Sequence, residues 1–140
     1  LLWNADELPP EHAGRVWHVH GDLDLDAMER ALPHLVGEHD FASFASSGGF
    51  ERASTVRTLL RAELAADPPL VALTFEADAF LYKMVRSLVR AVVRVGEGKR
   101  AAEDVAAMLR ARDRSAAPGS APASGLYLDA VRYDPPLFEE

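Results

Sequence analysis

Five cations lie close together in the stretch 80–99: Lys83, Arg86, Arg90, Arg94 and Lys99. On a helix that turns about 100° per residue, the first four fall within an arc of roughly 80°. We call these four the basic stripe; leucine, valine and methionine side chains fill the opposite half of the helix. Guanidinium and ammonium groups bind carboxylates and phosphates. The spacing therefore predicts a helix that can bind an anionic partner.

Two interpretations of the basic stripe are open from spacing alone. In the first, the stripe is a solvated helix face whose charges pair with acids elsewhere in the chain, as charged faces usually do. In the second, the stripe faces phosphates, and binding would then weaken steeply with added salt. Like charges at i and i+4 repel by a few tenths of a kcal/mol. Since the nearest acid along the helix is Glu97, nothing within the helix offsets this repulsion.

The distribution of charge favours an anionic partner for the middle of the chain. The 140 residues carry a formal net charge of −7. Residues 52–100 nevertheless hold 9 basic and 5 acidic side chains, against 2 basic and 10 acidic in residues 1–51. The overall balance argues against an avid nonspecific nucleic-acid binder, while a local basic patch still acts within a Debye length.

Length and composition indicate one globular domain. Hydrophobic residues make up 49% of the sequence, and the chain is long enough to bury a core. The absence of cysteine excludes disulfides and thiolate metal sites. Neither a secretory signal nor an apolar run of about 18 residues is recognisable, so no membrane partner is expected. Because the first residue is Leu1 and not Met, we expect a piece of a longer chain.

Hydrophobic periodicity predicts three helices. The first covers 24–37, with Asp24 as its N-cap and a kink at Pro33. The second covers 79–96 and carries the basic stripe. The third covers 101–112, with acids in its first turn and arginines in its last turn, as the helix dipole prefers.

Alternating patterns predict strands at 14–21, 54–64, 70–78 and 125–133. The middle two flank the turn "AADPP" and are expected to form an antiparallel hairpin. A loop of small residues, 115–125, leads into the last strand. The order of elements indicates an α+β fold, with helices packed on one face of an antiparallel or mixed sheet.

Three other groups of residues are weaker candidates. His18 and His20 share a strand face and His39 precedes Asp40, so a metal site can be imagined. Because the spacing places no third ligand beside His18 and His20, we expect no metal. Asp40, which precedes two phenylalanines one turn apart, is better explained as a helix cap beside core aromatics. The serines of the loop 115–125 have no base beside them, and we interpret them as loop residues.

A family resemblance adds to this pattern. The stretch "AFLYKMVRSLVRAVVRVGEGKR" (79–100) carries a Phe-Leu pair before Met-Val-Arg and closes on a Val-Gly-Glu-Gly-Lys turn. It resembles the signature helix of the tRNA pseudouridine synthase A family. Three further segments resemble the same family in the same order: "LVGEHDFASFAS" (35–46), "VRTLLRAEL" (56–64) and "ARDRSAAPGSAPASGLYLDAVRYD" (111–134).

The resemblance implies an enzyme that isomerises uridine to pseudouridine in the anticodon stem-loop of tRNA, without a cofactor. In this family an Asp nucleophile lies in a Gly-Arg-Thr-Asp motif, an Arg of the signature helix pairs with it, and a Leu closes the pocket. The matching positions are Arg86 and Leu126, whereas Gly-Arg-Thr-Asp is absent. We therefore expect residues 1–134 to be the C-terminal domain, one half of the pseudouridine synthase fold, with 135–140 as a tail and no activity alone.

The same resemblance implies partners and further site residues. The expected partner is tRNA, and the full-length protein is expected to be a cytoplasmic homodimer that uses neither a membrane nor a cofactor. Phe80 and Met84 are expected to line the pocket. RNA phosphates would be bound by the remaining cations: Lys83, Arg90, Arg94, Lys99, Arg100 and Arg114.

The sequence departs from the family pattern beside Arg86. Ser87 stands where the family usually has Asn, and Arg90 stands where it usually has a Gly that permits close packing. Tyr82 and Lys83 replace the usual His residues. These differences leave Arg86 itself in place. The alternative to an enzyme domain is a non-catalytic α+β module that binds a partner or dimerises through its basic helix face.

Overall fold

A computed structural model of the chain describes residues 1–46 and 54–128. Five strands form one sheet in the order β2-β1-β5-β4-β3; they are β1 Leu2–Asn4, β2 Trp17–Val19, β3 Gly37–Asp40, β4 Val56–Asp67 and β5 Leu70–Ala77. β1 and β2 are parallel, and the other neighbours are antiparallel. The mixed sheet of an α+β fold is therefore confirmed.

Three α-helices are present in the described part of the chain: α1 Leu25–Ala31, α2 Met84–Gly96 and α3 Asp104–Ala111. Their buried side chains share one hydrophobic cluster with one face of the sheet. Leu59 of that face is fully buried, whereas Val56 and Leu60 are exposed on the opposite face. Burying a Leu, Val or Phe side chain contributes about 1.5–3 kcal/mol. The helices thus pack on one face, as predicted.

α1 is shorter than the predicted helix 24–37. Asp24 is its N-cap as predicted, since its carboxylate accepts the Ala27 N–H at 3.0 Å. The α-helix ends at Ala31, and Leu32–His34 form a 3-10 turn. The physical reason is Pro33, whose ring nitrogen has no N–H for the helical ladder. The proline therefore ends the helix instead of kinking it.

The β4–β5 hairpin is confirmed. Its pairing runs from Asp67 opposite Leu70 to Leu59 opposite Ala77, and a bulge at Leu60 places Arg61 opposite Glu76. Neighbouring residues of a strand point to opposite faces of the sheet. The bulge therefore turns Arg61 to the face opposite that of Leu59, which the alternating pattern alone does not predict.

The sequence does not predict β1 and β3, which are only three and four residues long. β1 pairs with β5 at two positions, Leu2 opposite Val71 and Trp3 opposite Leu70. Beyond these pairs, no strand among residues 1–46 and 54–128 lies beside the Ala72–Ala77 edge of β5 on the side of β1. We call this stretch the β5 edge.

α2 begins at Met84, later than the predicted residue 79, because Lys83 has a left-handed backbone with φ 59°. It ends at Gly96, as predicted. A Cβ at Gly96 would overlap the side chain of Met28 in α1, so glycine allows the two helices to approach closely. The third predicted helix, 101–112, is confirmed as the shorter α3.

The last predicted strand, 125–133, is wrong over the residues that can be described, because 125–128 contain a turn and no strand. Residues 129–133 lie outside the described residues, as do 47–53 and the tail 135–140. Among the helices of the described ranges, none is both long and apolar enough to cross a bilayer.

Candidate active site

An open cavity of about 770 Å³ lies beside the β5 edge. Its other walls are the first turns of α2 and the segment 121–128. Apolar side chains dominate its lining, and the charged residues among them are Arg61, Glu76 and Arg86. A concave, mostly apolar site with a few charged groups is the usual form of a small-ligand pocket. The cavity is therefore the candidate active site.

Arg86 is half-buried in the wall that α2 contributes. Its Nε donates to the Ala121 carbonyl at 2.7 Å, and the Ala121 N–H donates to the Arg86 carbonyl at 2.9 Å. Within the part of the chain that the structure describes, these contacts leave both Nη atoms of Arg86 without a hydrogen-bond partner. The guanidinium is thus held through one nitrogen and can donate two parallel hydrogen bonds through the other two.

Leu126 lines the same cavity and is 49% exposed. Its position follows from Gly125, whose φ is +87°. A Cβ on Gly125 would overlap the carbonyl oxygen of Leu1 and lie 2.9 Å from the backbone nitrogen of Trp17. Glycine is needed here both for the left-handed backbone and for the close approach to β2. The turn that carries Leu126 is therefore packed directly on the sheet.

The two predicted pocket residues occupy different places. Phe80 lines the cavity and is 37% exposed. Met84 is fully buried in the core and does not contribute to the cavity wall. It is the first residue of α2, and its side chain points into the cluster beneath the sheet instead of the open side. The structure therefore gives Met84 a packing role.

Lys83 and Arg90 of the basic stripe contact aromatic rings and do not line the cavity themselves. The Lys83 Nζ lies 5.5 Å from the centroid of the Tyr82 ring. The Arg90 guanidinium lies 5.7 Å from the centroid of the Trp17 ring, which itself lines the cavity. Such cation–π contacts contribute about 0.5–1 kcal/mol at exposed sites. Arg90 is therefore at the rim of the cavity, against one of its wall residues.

The cations at the far end of α2 are distant from the cavity. Arg94 pairs with Glu97 at 3.4 Å, one helical turn further on. Lys99 and Arg100 are exposed and follow the end of the helix. Since a helix rises 1.5 Å per residue, its last residue lies about 15 Å along the axis from Arg86. Of the basic stripe, Arg86 alone lines the cavity.

Arg114, a predicted phosphate ligand, is engaged within the domain. Its Nη1 donates to the Ala45 carbonyl at 2.6 Å and its Nη2 donates to the Ser120 hydroxyl at 3.3 Å. Ser120 in turn lies 3.2 Å from the hydroxyl of Ser87, which is 1% exposed. The structure thus places Arg114 as an anchor of the loop 115–125.

Arg61 is a cavity residue that the sequence analysis did not single out. It approaches the cavity from β4, and its buried Nε has no hydrogen-bond partner among the described residues. Its Nη1 lies 3.8 Å from a carboxylate oxygen of Glu63. The bulge at Leu60 gives Arg61 its direction. Bulges leave no regular signal in a single sequence, so the alternating pattern gives no sign that Arg61 reaches the cavity.

The weaker candidates are structural. The rings of His18 and His20 have centroids 4.0 Å apart and planes tilted by 43°, and no group of three metal-binding side chains occurs among the residues described. The Asp40 carboxylate accepts the Ala42 N–H at 3.0 Å and the Thr55 hydroxyl at 2.6 Å. Phe41 and Phe44 are fully buried beside it. Asp40 therefore caps a turn, as we favoured.

Comparison with known proteins agrees with these features. A family model for tRNA pseudouridine synthase matches residues 31–134. The tRNA pseudouridine synthase A of Leuconostoc mesenteroides is 44% identical over 119 residues, which cover 84% of this chain and 46% of that protein. Those of Bordetella petrii and Rhodospirillum centenum are 42% identical over 135 residues and 46% identical over 121 residues.

The coverage of these matches is uneven. They include 96% of this chain and 50% of the Bordetella petrii protein, and 86% of this chain and 49% of the Rhodospirillum centenum protein. The chain thus spans about half the length of the curated relatives it matches. The resemblance carried by the four sequence segments is confirmed.

Proposed function

The chain belongs to the tRNA pseudouridine synthase family, and we propose that it supplies one half of the active site of such an enzyme. In this proposal Arg86 holds the nucleophilic Asp and Leu126 is a wall of the uridine pocket, whereas the Asp comes from a part of the protein outside this chain. The observation that carries the proposal is that Arg86 and Leu126 line one open cavity, and that neither Nη atom of Arg86 has a hydrogen-bond partner among the described residues.

Arg86 acts on the carboxylate in this proposal. A carboxylate against an unstacked base is partly desolvated, which raises its pKa and weakens it as a nucleophile. A guanidinium that donates two parallel hydrogen bonds favours the ionised carboxylate and fixes its orientation. Because Nε is already bonded to Ala121, the two Nη atoms are the pair that would bind the two carboxylate oxygens.

The apolar wall holds the uridine. Conversion of uridine to pseudouridine replaces the N1–C1′ bond by a C5–C1′ bond, so the base must leave the stack and turn within its pocket. Unstacking costs a few kcal/mol. Contact with Leu126 and Phe80, both partly exposed at the cavity, would offset that cost.

Four partly or fully exposed cations fit an RNA backbone. Lys83 and Arg90 lie near the cavity, and Lys99 and Arg100 extend the positive surface past the end of α2. Folded RNA is bound largely through the shape and phosphates of its helices. We propose contacts between these four and the anticodon stem-loop, with a smaller share for Arg94 and Arg114, which already have partners in the domain.

The remaining parts of the proposal concern the whole protein. We infer that residues 1–134 form the C-terminal domain of a synthase whose other half contains the nucleophile. This agrees with the span of about half of each relative. A homodimer that shares an RNA groove, and action in the cytoplasm on tRNA, complete the proposal.

The test compares two polypeptides: this chain alone, and this chain joined to the half that the relatives contain in addition. Incubation with tRNA, followed by mapping of pseudouridine along the tRNA, measures both activity and position. We expect the joined protein to convert uridines of the anticodon stem-loop and the chain alone to convert none. Turnover by the chain alone would contradict the proposal that the nucleophile lies outside it. Conversion confined to another arm of the tRNA would contradict the proposed action on the anticodon stem-loop.

A non-catalytic binding or dimerisation module is the second candidate, and two contacts of the basic stripe are compatible with it. The Arg94–Glu97 pair and the Arg90–Trp17 contact are arrangements that a merely solvated helix face would also form. Activity of the joined protein decides between the two candidates. The salt dependence of tRNA binding decides which cations meet phosphates.

A further inference from the structure

A hydrogen-bonded network behind the cavity leads from Arg114 to Arg86. We infer that Arg114 and Ser120 are positioning residues that fix the direction of the Arg86 guanidinium. This inference rests on the proposed function of Arg86. It assigns to two residues of a small-residue loop a role in the reaction although neither lines the cavity.

The innermost part of the network is the reciprocal contact between Arg86 and Ala121. Each residue donates one hydrogen bond to the other, at 2.7 and 2.9 Å, across 35 positions of sequence. Ala121 is 3% exposed. Any shift of the loop at Ala121 therefore moves the acceptor that holds the Arg86 Nε. The direction of the guanidinium depends on the position of this loop.

The outer part of the network fixes the residue before Ala121. The Ser120 hydroxyl lies 3.2 Å from the buried Ser87 hydroxyl and 3.3 Å from the Arg114 Nη2. Because a guanidinium has donors only, the Ser120 oxygen accepts from Arg114, and either hydroxyl can be the donor between Ser120 and Ser87. Ser87 follows Arg86 in α2. The loop is thus tied to the helix at two adjacent residues, Arg86 and Ser87.

Arg114 is itself firmly held. Its Nη1 donates to the Ala45 carbonyl at 2.6 Å, and it begins a 3-10 turn that the Asp113 side chain caps through the Ser115 N–H at 2.9 Å. These hydrogen bonds from Ser115 hold the pKa of the Asp113 carboxyl below its usual value. The Asp113 N–H also donates to the buried Ser43 hydroxyl at 2.9 Å. The network therefore ends on the core side of the domain.

The composition of the loop explains why it needs such an anchor. Residues 115–125 are all Ala, Pro, Ser or Gly, so the loop has no large side chain to bury. Apolar burial contributes roughly in proportion to area, and little area is available here. Hydrogen bonds from Arg114 and Ser120 therefore set the position of the loop, and with it the geometry of the site.

The first measurement follows Arg86 directly by NMR of this chain, with the Nε–H signal assigned by its loss in Arg86→Lys. In the unmodified chain we expect slow hydrogen exchange at the Arg86 Nε–H and the Ala121 N–H. Ser120→Ala should raise both exchange rates about tenfold, which corresponds to losing about 1.4 kcal/mol of local stability. Ser120→Thr, which retains the hydroxyl, should leave both exchange rates unchanged. Arg110→Ala, an exposed change on α3, is the control.

The second measurement uses the joined protein and a double-mutant cycle. Because a misplacement of about 1 Å can cost up to about 10²-fold in rate, we expect Ser120→Ala and Arg114→Lys to lower kcat about tenfold. The KM for tRNA should change less than twofold. Adding Ser120→Ala to Arg86→Ala should cause no further loss, since the two act as one unit.

These outcomes separate the inference from the proposed function. Unchanged exchange at Arg86 in both Ser120→Ala and Arg114→Lys would overturn the inference, and so would fully additive losses in the cycle. If the unmodified joined protein converts no uridine, the proposed function fails, while the exchange rates still decide whether the network positions Arg86. Circular dichroism and urea unfolding of each variant identify any loss that comes from unfolding.

Discussion

Arg86 and Arg94 lie on the same face of α2 and have opposite surroundings. The Arg86 guanidinium is held through Nε by the Ala121 carbonyl at 2.7 Å and lines the cavity. Arg94 has the Glu97 carboxylate at 3.4 Å, three residues further along the chain, and does not line this cavity. The Arg86 guanidinium is fixed in direction, and its two Nη atoms have no hydrogen-bond partner among the described residues. The charge of Arg94 is largely compensated by the Glu97 carboxylate.

This contrast shows that the basic stripe is not one functional unit. Helical periodicity places both arginines on one face, because periodicity depends only on sequence position. Whether a cation is available depends on the loop packed over it: the loop 115–125 reaches Arg86 through Ala121, and it does not reach Arg94. The cavity end of α2 is therefore the functional end, and its far end is electrostatic surface.

The largest expected difference between Arg86 and Arg94 is in catalysis by the joined protein. Leaving a hydrogen-bonded charge without its partner costs about 3–5 kcal/mol, so Arg86→Ala should lower kcat/KM by about 10²–10⁴-fold. Arg94→Ala should lower it less than threefold. Initial rates of pseudouridine formation measure both. Equal losses would remove the distinction between the two ends of the helix.

A second comparison is between two glycines, one just past the far end of α2 and one beside the cavity. Gly98, just past α2, has φ +79° and open space around it, whereas Gly125 beside the cavity has φ +87° and would place a Cβ against backbone atoms. A left-handed backbone costs a non-glycine residue about 1–2 kcal/mol. Gly98→Ala should lower the free energy of unfolding by that amount, and Gly125→Ala by about 3 kcal/mol or more, because backbone must also shift.

Urea unfolding of this chain measures both changes, and Gly98→Ala is the matched control for backbone strain alone. A similar loss in the two variants would show that the turn carrying Leu126 can move away from β1 and β2. In that case Gly125 would not determine the position of the cavity wall.

The cavity and the core differ in how far the sequence predicts them. The hairpin, α2 and α3 follow from periodicity, and the Asp24 cap is confirmed at 3.0 Å. Arg86, Leu126 and Phe80 were predicted together from a family resemblance, and the structure brings all three to one cavity. Residue types and spacing thus predicted the fold class, whereas the site residues came from the family resemblance and stay a prediction.

What the sequence missed depends on features without local signals. The bulge at Leu60 directs Arg61 to the cavity, and the left-handed Lys83 delays α2 so that Met84 is buried in the core. Arg114 was expected to bind RNA, yet its partners lie far away in sequence, at Ala45 and through Ser120 at α2. Such tertiary contacts cannot be read from periodicity, which describes one element at a time.

A smaller effect distinguishes exposed from paired cations in RNA binding. Each phosphate contact contributes about 0.7–0.9 to the slope of log K against log salt. Lys99→Ala should therefore reduce the slope for tRNA binding by about that amount, and Arg94→Ala should leave it unchanged. Fluorescence anisotropy of labelled tRNA at several salt concentrations measures the slope for the joined protein. A reduced slope in Arg94→Ala would mean that RNA displaces Glu97 as its partner.

The smallest effect is the coupling between Arg94 and Glu97. Exposed ion pairs contribute about 0.2–1 kcal/mol, and i,i+3 pairs on helices are at the low end of that range. A double-mutant cycle with Arg94→Gln and Glu97→Gln, measured by urea unfolding of this chain, should give a coupling of about 0.3 kcal/mol that falls in high salt. A coupling near 2 kcal/mol would make this pair a structural element of the helix end. The far end of α2 would then be fixed as firmly as the cavity end, and the absence of Arg94 from the site would follow from its distance alone.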